Sequence, residues 1–142
     1  MTNMAGYSGT PLIRKLGIKE GFRAAFVNAP KDFDKDLGPL PASVHLLRRP
    51  ARPMDFVLLF MKSAAALEKD FARIAGLLSL SGMLWVSWPK KASGVVTDLS
   101  ENNVRQIGLS AGLVDVKVCA VNDVWSGLKF VYRLQDRKRI CS

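Results

Sequence analysis

The stretch Asp55-Phe56-Val57-Leu58-Leu59-Phe60-Met61-Lys62-Ser63 decides the fold. The unbroken apolar run from Phe56 to Phe60 suits a strand buried on both faces of a parallel sheet, because a strand with one wet face would alternate. Ser63 then offers a helix N-cap. Beyond it Leu67, Phe71, Ile74 and Leu78 form one apolar stripe, with Glu68, Lys69, Asp70 and Arg73 on the other side. After a Ser81-Gly82 turn, residues 83–88 form a further strand, apolar but for Ser87, that ends in Pro89. A strand, an amphipathic helix and a second strand make a βαβ unit.

The pattern extends in both directions. Upstream, Thr10 and Pro11 open a short helix with Leu12, Ile13 and Leu16 on one face, and Gly17 stops it. Residues 23–28 form the first strand around Ala24-Ala25-Phe26-Val27, ending in Asn28-Ala29-Pro30. Residues 31–37 allow two helical turns before Gly38-Pro39-Leu40-Pro41, and residues 44–47 make a short second strand. The connector 47–54, with Arg48, Arg49, Pro50, Arg52 and Pro53, is shorter than a usual parallel crossover. Either it runs extended across one sheet end, or the second strand is displaced or irregular. Downstream, Ser100 caps a helix bearing Val104, Ile107 and Ala111. Residues 114–121 then alternate, 122–127 turn, and 128–134 return as an antiparallel strand. The expectation from the pattern is an α/β fold with a small, mostly parallel sheet and a terminal antiparallel hairpin. One domain spans 1–142, with 1–8 and 137–142 flexible.

Lys and Arg outnumber Asp and Glu by 21 to 12 among 142 residues, a formal charge of +9 that favours anionic partners. No apolar run approaches the roughly 20 residues that span a bilayer, and no basic segment leads into an apolar stretch at the start, so a cytoplasmic protein without membrane contact is expected. Cys119 and Cys141 read as a buried thiol and a tail thiol. His45 is the only histidine and lies in a short strand, so neither a multi-histidine metal site nor a histidine-based nucleophile system is expected.

Three segments resemble Rossmann-like S-adenosylmethionine (SAM) dependent methyltransferases. Leu16-Gly17-Ile18-Lys19-Glu20-Gly21-Phe22-Arg23 is similar to the entry into their first strand, and Ser81-Gly82-Met83-Leu84-Trp85-Val86 to the turn into their fifth. Gly112-Leu113-Val114 and the terminal hairpin are similar to their last two strands. The resemblance implies a Rossmann-like sheet in the order 2-1-3-4-6-5 with strand 6 antiparallel, a glycine-rich cofactor loop after the first strand and an acidic residue after the second. This chain has Asn28-Ala29-Pro30-Lys31-Asp32-Phe33 at the first position and Arg48-Arg49 at the second, so no cofactor held in the standard way is expected. The whole chain also resembles a bacterial, mostly actinobacterial, family carrying a domain of unknown function. The strings that carry this are Ala5-Gly6-Tyr7-Ser8-Gly9-Thr10-Pro11-Leu12, Trp85-Val86-Ser87-Trp88-Pro89-Lys90-Lys91 and Val124-Trp125-Ser126-Gly127-Leu128-Lys129-Phe130.

In open parallel sheets ligands bind outside the carboxyl ends of the strands. The candidate ligand site is therefore that edge, with Asn28, Lys62, Ser63, Trp88, Lys90, Lys91, Ser93, Trp125 and Ser126. Lysines attract anions, indoles offer stacking faces, and Ser63 marks a helix N-terminus. A phosphorylated or nucleotide-like small molecule suits that set. The reading is a non-enzymatic binding or regulatory protein, leaning away from catalysis, with a protein partner also open. The alternatives are a small methyltransferase-like enzyme with an atypical cofactor site, or a nucleic-acid-binding protein using Arg48, Arg49 and Arg52 or Arg133, Arg137, Lys138 and Arg139.

Overall fold

In the computed structural model, which describes residues 11–136, the helices and strands alternate as expected. They are α1 (Leu12–Leu16), β1 (Arg23–Val27), α2 (Phe33–Leu37), β2 (His45–Leu46), β3 (Met54–Phe60), α3 (Ala64–Ala75), β4 (Leu78–Pro89), α4 (Glu101–Ser110), β5 (Leu113–Ala120) and β6 (Trp125–Tyr132). The expectations for 1–8 and 137–142, including Cys141 and the basic residues 137–139, lie outside the described residues. The strands form one six-stranded sheet in the order β2-β1-β3-β4-β6-β5. β1 to β4 run parallel, and β6 is antiparallel to both β4 and β5. The strand order that the methyltransferase resemblance implies holds throughout.

The sheet separates two cores. On one face α3 and α4 cover Val57, Leu59, Leu84, Val86, Trp88, Leu128 and Phe130. Ser63 caps α3 by accepting from the Ala66 N–H, and Ser100 caps α4 in a reciprocal box with Asn103. On the other face α1 and α2 cover Phe56, Leu58, Phe60, Met83, Trp85 and Trp125. Aromatic edges knit this second core: Phe33 meets Phe60 at 4.9 Å, and Phe60 meets Trp125 at 5.1 Å between ring centroids.

Three local expectations change. Ser81 and Gly82 lie within β4, which starts at Leu78, rather than in a turn. The register slips there, with Leu78 opposite Met54 and Met83 opposite Phe56. A Cβ on Gly82 would stand 2.6 Å from the Met54 carbonyl, so glycine permits the close backbone approach. Trp125, Ser126 and Gly127 belong to β6, not to the preceding turn. The connector puzzle resolves through the shortness of β2. It pairs with β1 only at Arg23–His45 and Ala24–Leu46, near the start of β1, so the chain doubles back over a small distance to reach β3. Arg23 holds that connector by donating to the Pro53 carbonyl (2.7 Å) and the Ala51 carbonyl (3.0 Å), and Arg52 donates to the Gly76 carbonyl.

Candidate functional site

The loops after β1, β3 and β4 and the loop entering β6 share the carboxyl rim of the sheet. The Lys90 N–H donates to the Val124 carbonyl (2.7 Å), and the Thr97 hydroxyl donates to the Lys62 carbonyl (2.6 Å). The backbones carrying Lys62, Lys90, Lys91, Ser93 and Trp125 are therefore brought to one edge. The two tryptophans of the expected site, however, do not meet. Trp88 and Trp125 start from adjacent strands, but Trp88 packs under α3 and α4 while Trp125 packs against Phe60 on the opposite face. Both indoles are buried, so neither offers a stacking surface.

The short polar groups on the rim are engaged by the chain itself. Ser63 is occupied as the α3 cap. The α3 N-terminus also receives Asp98, whose carboxylate accepts from the Ala64 N–H at 2.8 Å. An anion drawn to that helix end would compete with a carboxylate already in place. The Ser93 hydroxyl donates to the Lys90 carbonyl (2.7 Å) and accepts from the Val95 N–H (3.1 Å), closing its own turn rather than facing a lysine as a nucleophile. Ser126 lies opposite Trp88 in the β4–β6 ladder. Trp88 and Lys91 line a cleft of about 440 Å³ beyond β4, with Val95, Thr97, Leu99 and Glu101.

Asn28 shapes the turn after β1. Its φ of 61° lies in the left-handed region that a glycine would otherwise take, and Asn is among the few residues that adopt it readily. Its side-chain amide donates to the Phe60 carbonyl (3.3 Å), bridging the tips of β1 and β3. That crevice is where the strand order reverses, the usual ligand position in such sheets. The standard SAM cradle therefore does not fit: Asn28 fills the crevice, Pro30 removes an N–H, and α2 is only five residues long.

A different cavity lies beside it. Between the β1 tip, α2 and β2, a pocket of about 380 Å³ is walled by Phe26, Pro30, Phe33, Leu37, Leu40 and Leu46. Lys31 and Asp34 supply the charged groups on its lining. Neither side chain is in an ion pair among the described residues. A shallower depression under Arg48 adjoins it and shares Phe26 and Leu46. Apolar walls with few polar groups, at a volume of several hundred Å³, are the ordinary make-up of a small-molecule site. The chemistry of the donor set suits SAM: apolar walls for a purine, a carboxylate for ribose hydroxyls, and an ammonium for the amino-acid carboxylate.

Sequence reasoning missed this pocket, although Phe33 and Leu37 at helical spacing mark the apolar side of α2 that walls it. It also missed Ser87, whose hydroxyl is fully buried with no hydrogen-bond partner among the described residues. Among the described residues no group of acidic, histidine or cysteine side chains could hold a metal ion, and no helix is long and apolar enough to cross a membrane.

No family model matches the chain, and no curated protein matches it. Solved structures do. A SAM dependent methyltransferase from Aquifex aeolicus is 14% identical with a TM-score of 0.59, over 89% of this chain and 90% of that one. The magnesium protoporphyrin IX methyltransferase from Synechocystis, with bound SAH, is 10% identical with a TM-score of 0.57, over 86% and 78%. A fibrillarin pre-rRNA processing protein from Methanococcus jannaschii is 11% identical with a TM-score of 0.58, over 92% and 76%. At these identities the likeness establishes a Rossmann-like, methyltransferase-like fold. It corrects the expectation of a non-enzymatic binding protein and the leaning away from enzymatic activity. Neighbours that are methyltransferases, one of them holding SAH, favour the alternative of a small methyltransferase-like enzyme with an atypical cofactor site.

Proposed function

We propose that this chain is a small methyltransferase-like enzyme that holds SAM in the pocket between the β1 tip, α2 and β2. The observation that carries the reading is that pocket, at the carboxyl edge of a sheet in a chain that superposes on the SAH-bound neighbour over 86% of its length with a TM-score of 0.57. When bound, SAM supplies an electrophilic methyl group on a sulfonium. The chain's own residues bind and orient. Phe26, Phe33 and Leu46 bury the purine, the Asp34 carboxylate accepts from ribose hydroxyls, and the Lys31 ammonium pairs with the carboxylate of the amino-acid end. Asn28 sets the floor by closing the crevice between β1 and β3.

The acceptor side lies along the same rim. Lys62, Lys90 and Lys91 make no ion pair among the described residues and remain available to an anionic acceptor. The cleft of Trp88, Lys91 and Thr97 gives such an acceptor a partly apolar bed. A cytoplasmic setting and membership of the actinobacterial family accompany this reading. The family reading rests on the residue strings 85–91 and 124–130 themselves, which fall in β4, in β6 and in the turns beside them.

Calorimetric titration of the full chain with SAM and with SAH tests the proposal. Both bind, and Asp34→Asn weakens both by about 10- to 100-fold, the loss of a charge-assisted hydrogen bond. Leu46→Glu, which places a carboxylate in the purine wall, abolishes binding. Absence of binding to either compound at millimolar concentration sinks the reading. So does binding that Asp34→Asn and Leu46→Glu leave unchanged.

A further inference from the structure

The sheet face beside α1 carries a feature that the rim does not explain. In the β5–β6 ladder Asp115 stands opposite Phe130, and the next pair is Lys117 opposite Lys129, with Val116 inserted as a bulge. Without the extra residue, Val116 would face Lys129 and Lys117 would turn to the side of α3 and α4. The bulge re-aims Lys117 onto the face of Lys129 and leaves Val116 53% exposed. Like charges directly opposite destabilise a strand pair, so the chain holds an arrangement that its own ladder disfavours.

Two more lysines join them. The Lys117 ammonium donates to the Lys15 carbonyl at the end of α1 (2.8 Å), and the Lys15 ammonium donates to the Ala120 carbonyl (3.3 Å). Each ammonium has three donors, so both keep N–H groups beyond these bonds. Lys129 is half-buried, and its ammonium nitrogen lies 4.0 Å from the place a Cβ on Gly17 would occupy. Burial, then the charges of Lys117 and Lys19, hold the Lys129 ammonium below the usual lysine range. No carboxylate answers this charge among the described residues, where the ion pairs are Lys35–Asp32, Arg73–Asp70 and Arg105 with Glu101 and Asp115. Asp115, nearest in sequence, is turned to the other face by that pairing.

We propose that Lys117 and Lys129, with Lys15 and Lys19 at the margins, form a binding site for a compact diphosphate or polyphosphate group. Directly opposite residues in a strand pair hold their Cβ atoms only about 4.5–5.5 Å apart, a span suited to neighbouring phosphates rather than to an extended backbone. A single carboxylate would leave most of the cluster unopposed. Lysines act here as point charges on phosphate oxygens, without the planar fork that arginine brings to carboxylates. The site stands apart from the β1–β2 pocket and does not depend on the proposed methyl-donor binding.

The test is thermal unfolding and calorimetric titration of the full chain at fixed ionic strength with pyrophosphate, tripolyphosphate, orthophosphate and a single-stranded RNA. Pyrophosphate and tripolyphosphate raise the melting temperature, and more than orthophosphate does. The double variant Lys117→Met/Lys129→Met loses this response, yet melts at the same temperature as the parent or higher when no anion is present. Each lost charge weakens binding by about tenfold. Three results overturn the proposal: no pyrophosphate response in the parent, a response that survives in the double variant, or tight RNA binding without pyrophosphate binding. If the double variant does not fold, Lys19→Gln replaces an exposed side chain that makes no hydrogen bond or ion pair among the described residues. Weaker pyrophosphate binding by it supports the site, and unchanged binding overturns it.

Discussion

The two faces of the sheet are built by different means. Under α3 and α4 the helices are 12 and 10 residues long, each has a side-chain cap, and their apolar stripes do the packing. Under α1 and α2 each helix has five residues and no side-chain cap. Helices so short do not hold themselves in water, so rings hold that face together: Phe33, Phe56, Phe60, Trp85 and Trp125 supply its core. The β1–β2 pocket and the lysine cluster both lie on the side of the short helices. The face of the long capped helices is grooved as well, between α3 and α4 and beyond β4, so the two faces differ in what holds them together rather than in which one carries clefts.

The contrast breaks most sharply at Trp85. Its ring is fully buried, and its indole N–H donates to the Leu16 carbonyl at 2.8 Å, tying α1 to the sheet. Trp85→Ala removes both the packing and the tie, at an expected cost of about 3–5 kcal/mol. Urea unfolding gives the stability, and amide exchange over residues 12–18 shows α1 losing protection first. A cost below about 1 kcal/mol would mean that the rings do not carry this face. On the other face the sharpest test is Gly108, in α4. A Cβ there would collide with the Phe130 ring, which is itself held edge-on by Phe71 at 5.2 Å. Overpacking costs about 1–3 kcal/mol, and the helix preference of alanine over glycine returns about 1 kcal/mol. Gly108→Ala is therefore destabilising by up to about 2 kcal/mol, read as a lower urea midpoint. A stabilised variant would show that α4 rides loosely on the sheet.

The same contrast explains what the sequence made legible. The apolar runs Ala24–Val27 and Phe56–Phe60 and the stripe Leu67, Phe71 and Ile74 are local signals, and they suffice for the strands and the helix, while the strand order rests on the methyltransferase resemblance. The site depends on pairings that leave no local mark. Placing Trp125 in a turn hid its register opposite Pro89, and that register sends Trp88 and Trp125 to opposite faces. Asp98 reaches the start of α3 from a loop 34 residues further on. The regular alternation of residues 114–121 gives no hint of the bulge at Val116 that sets Lys117 against Lys129. Asn28 carries its left-handed turn without the glycine by which a sequence reader would search for one.

The smallest effect probes the polar groups of the two faces. Beside α3 and α4 the hydroxyls are engaged: Ser63 and Ser100 cap helices, and the Tyr132 hydroxyl donates to the Ala75 carbonyl at 2.6 Å. On the face of α1 and α2, Ser87 is fully buried with its hydroxyl unpartnered among the described residues. Ser87 sits opposite Phe60 on β3 and Gly127 on β6, where a small side chain leaves space for the Phe60 and Trp125 rings. A buried hydroxyl without a partner carries its full desolvation penalty, whereas a methyl of similar size carries none. Ser87→Ala is expected to leave stability unchanged or to raise it by up to about 1 kcal/mol, measured by urea unfolding. A loss above about 1 kcal/mol would mean that the hydroxyl has a partner in solution. The face built on rings would then also rest on a polar contact, and its difference from the capped-helix face would narrow.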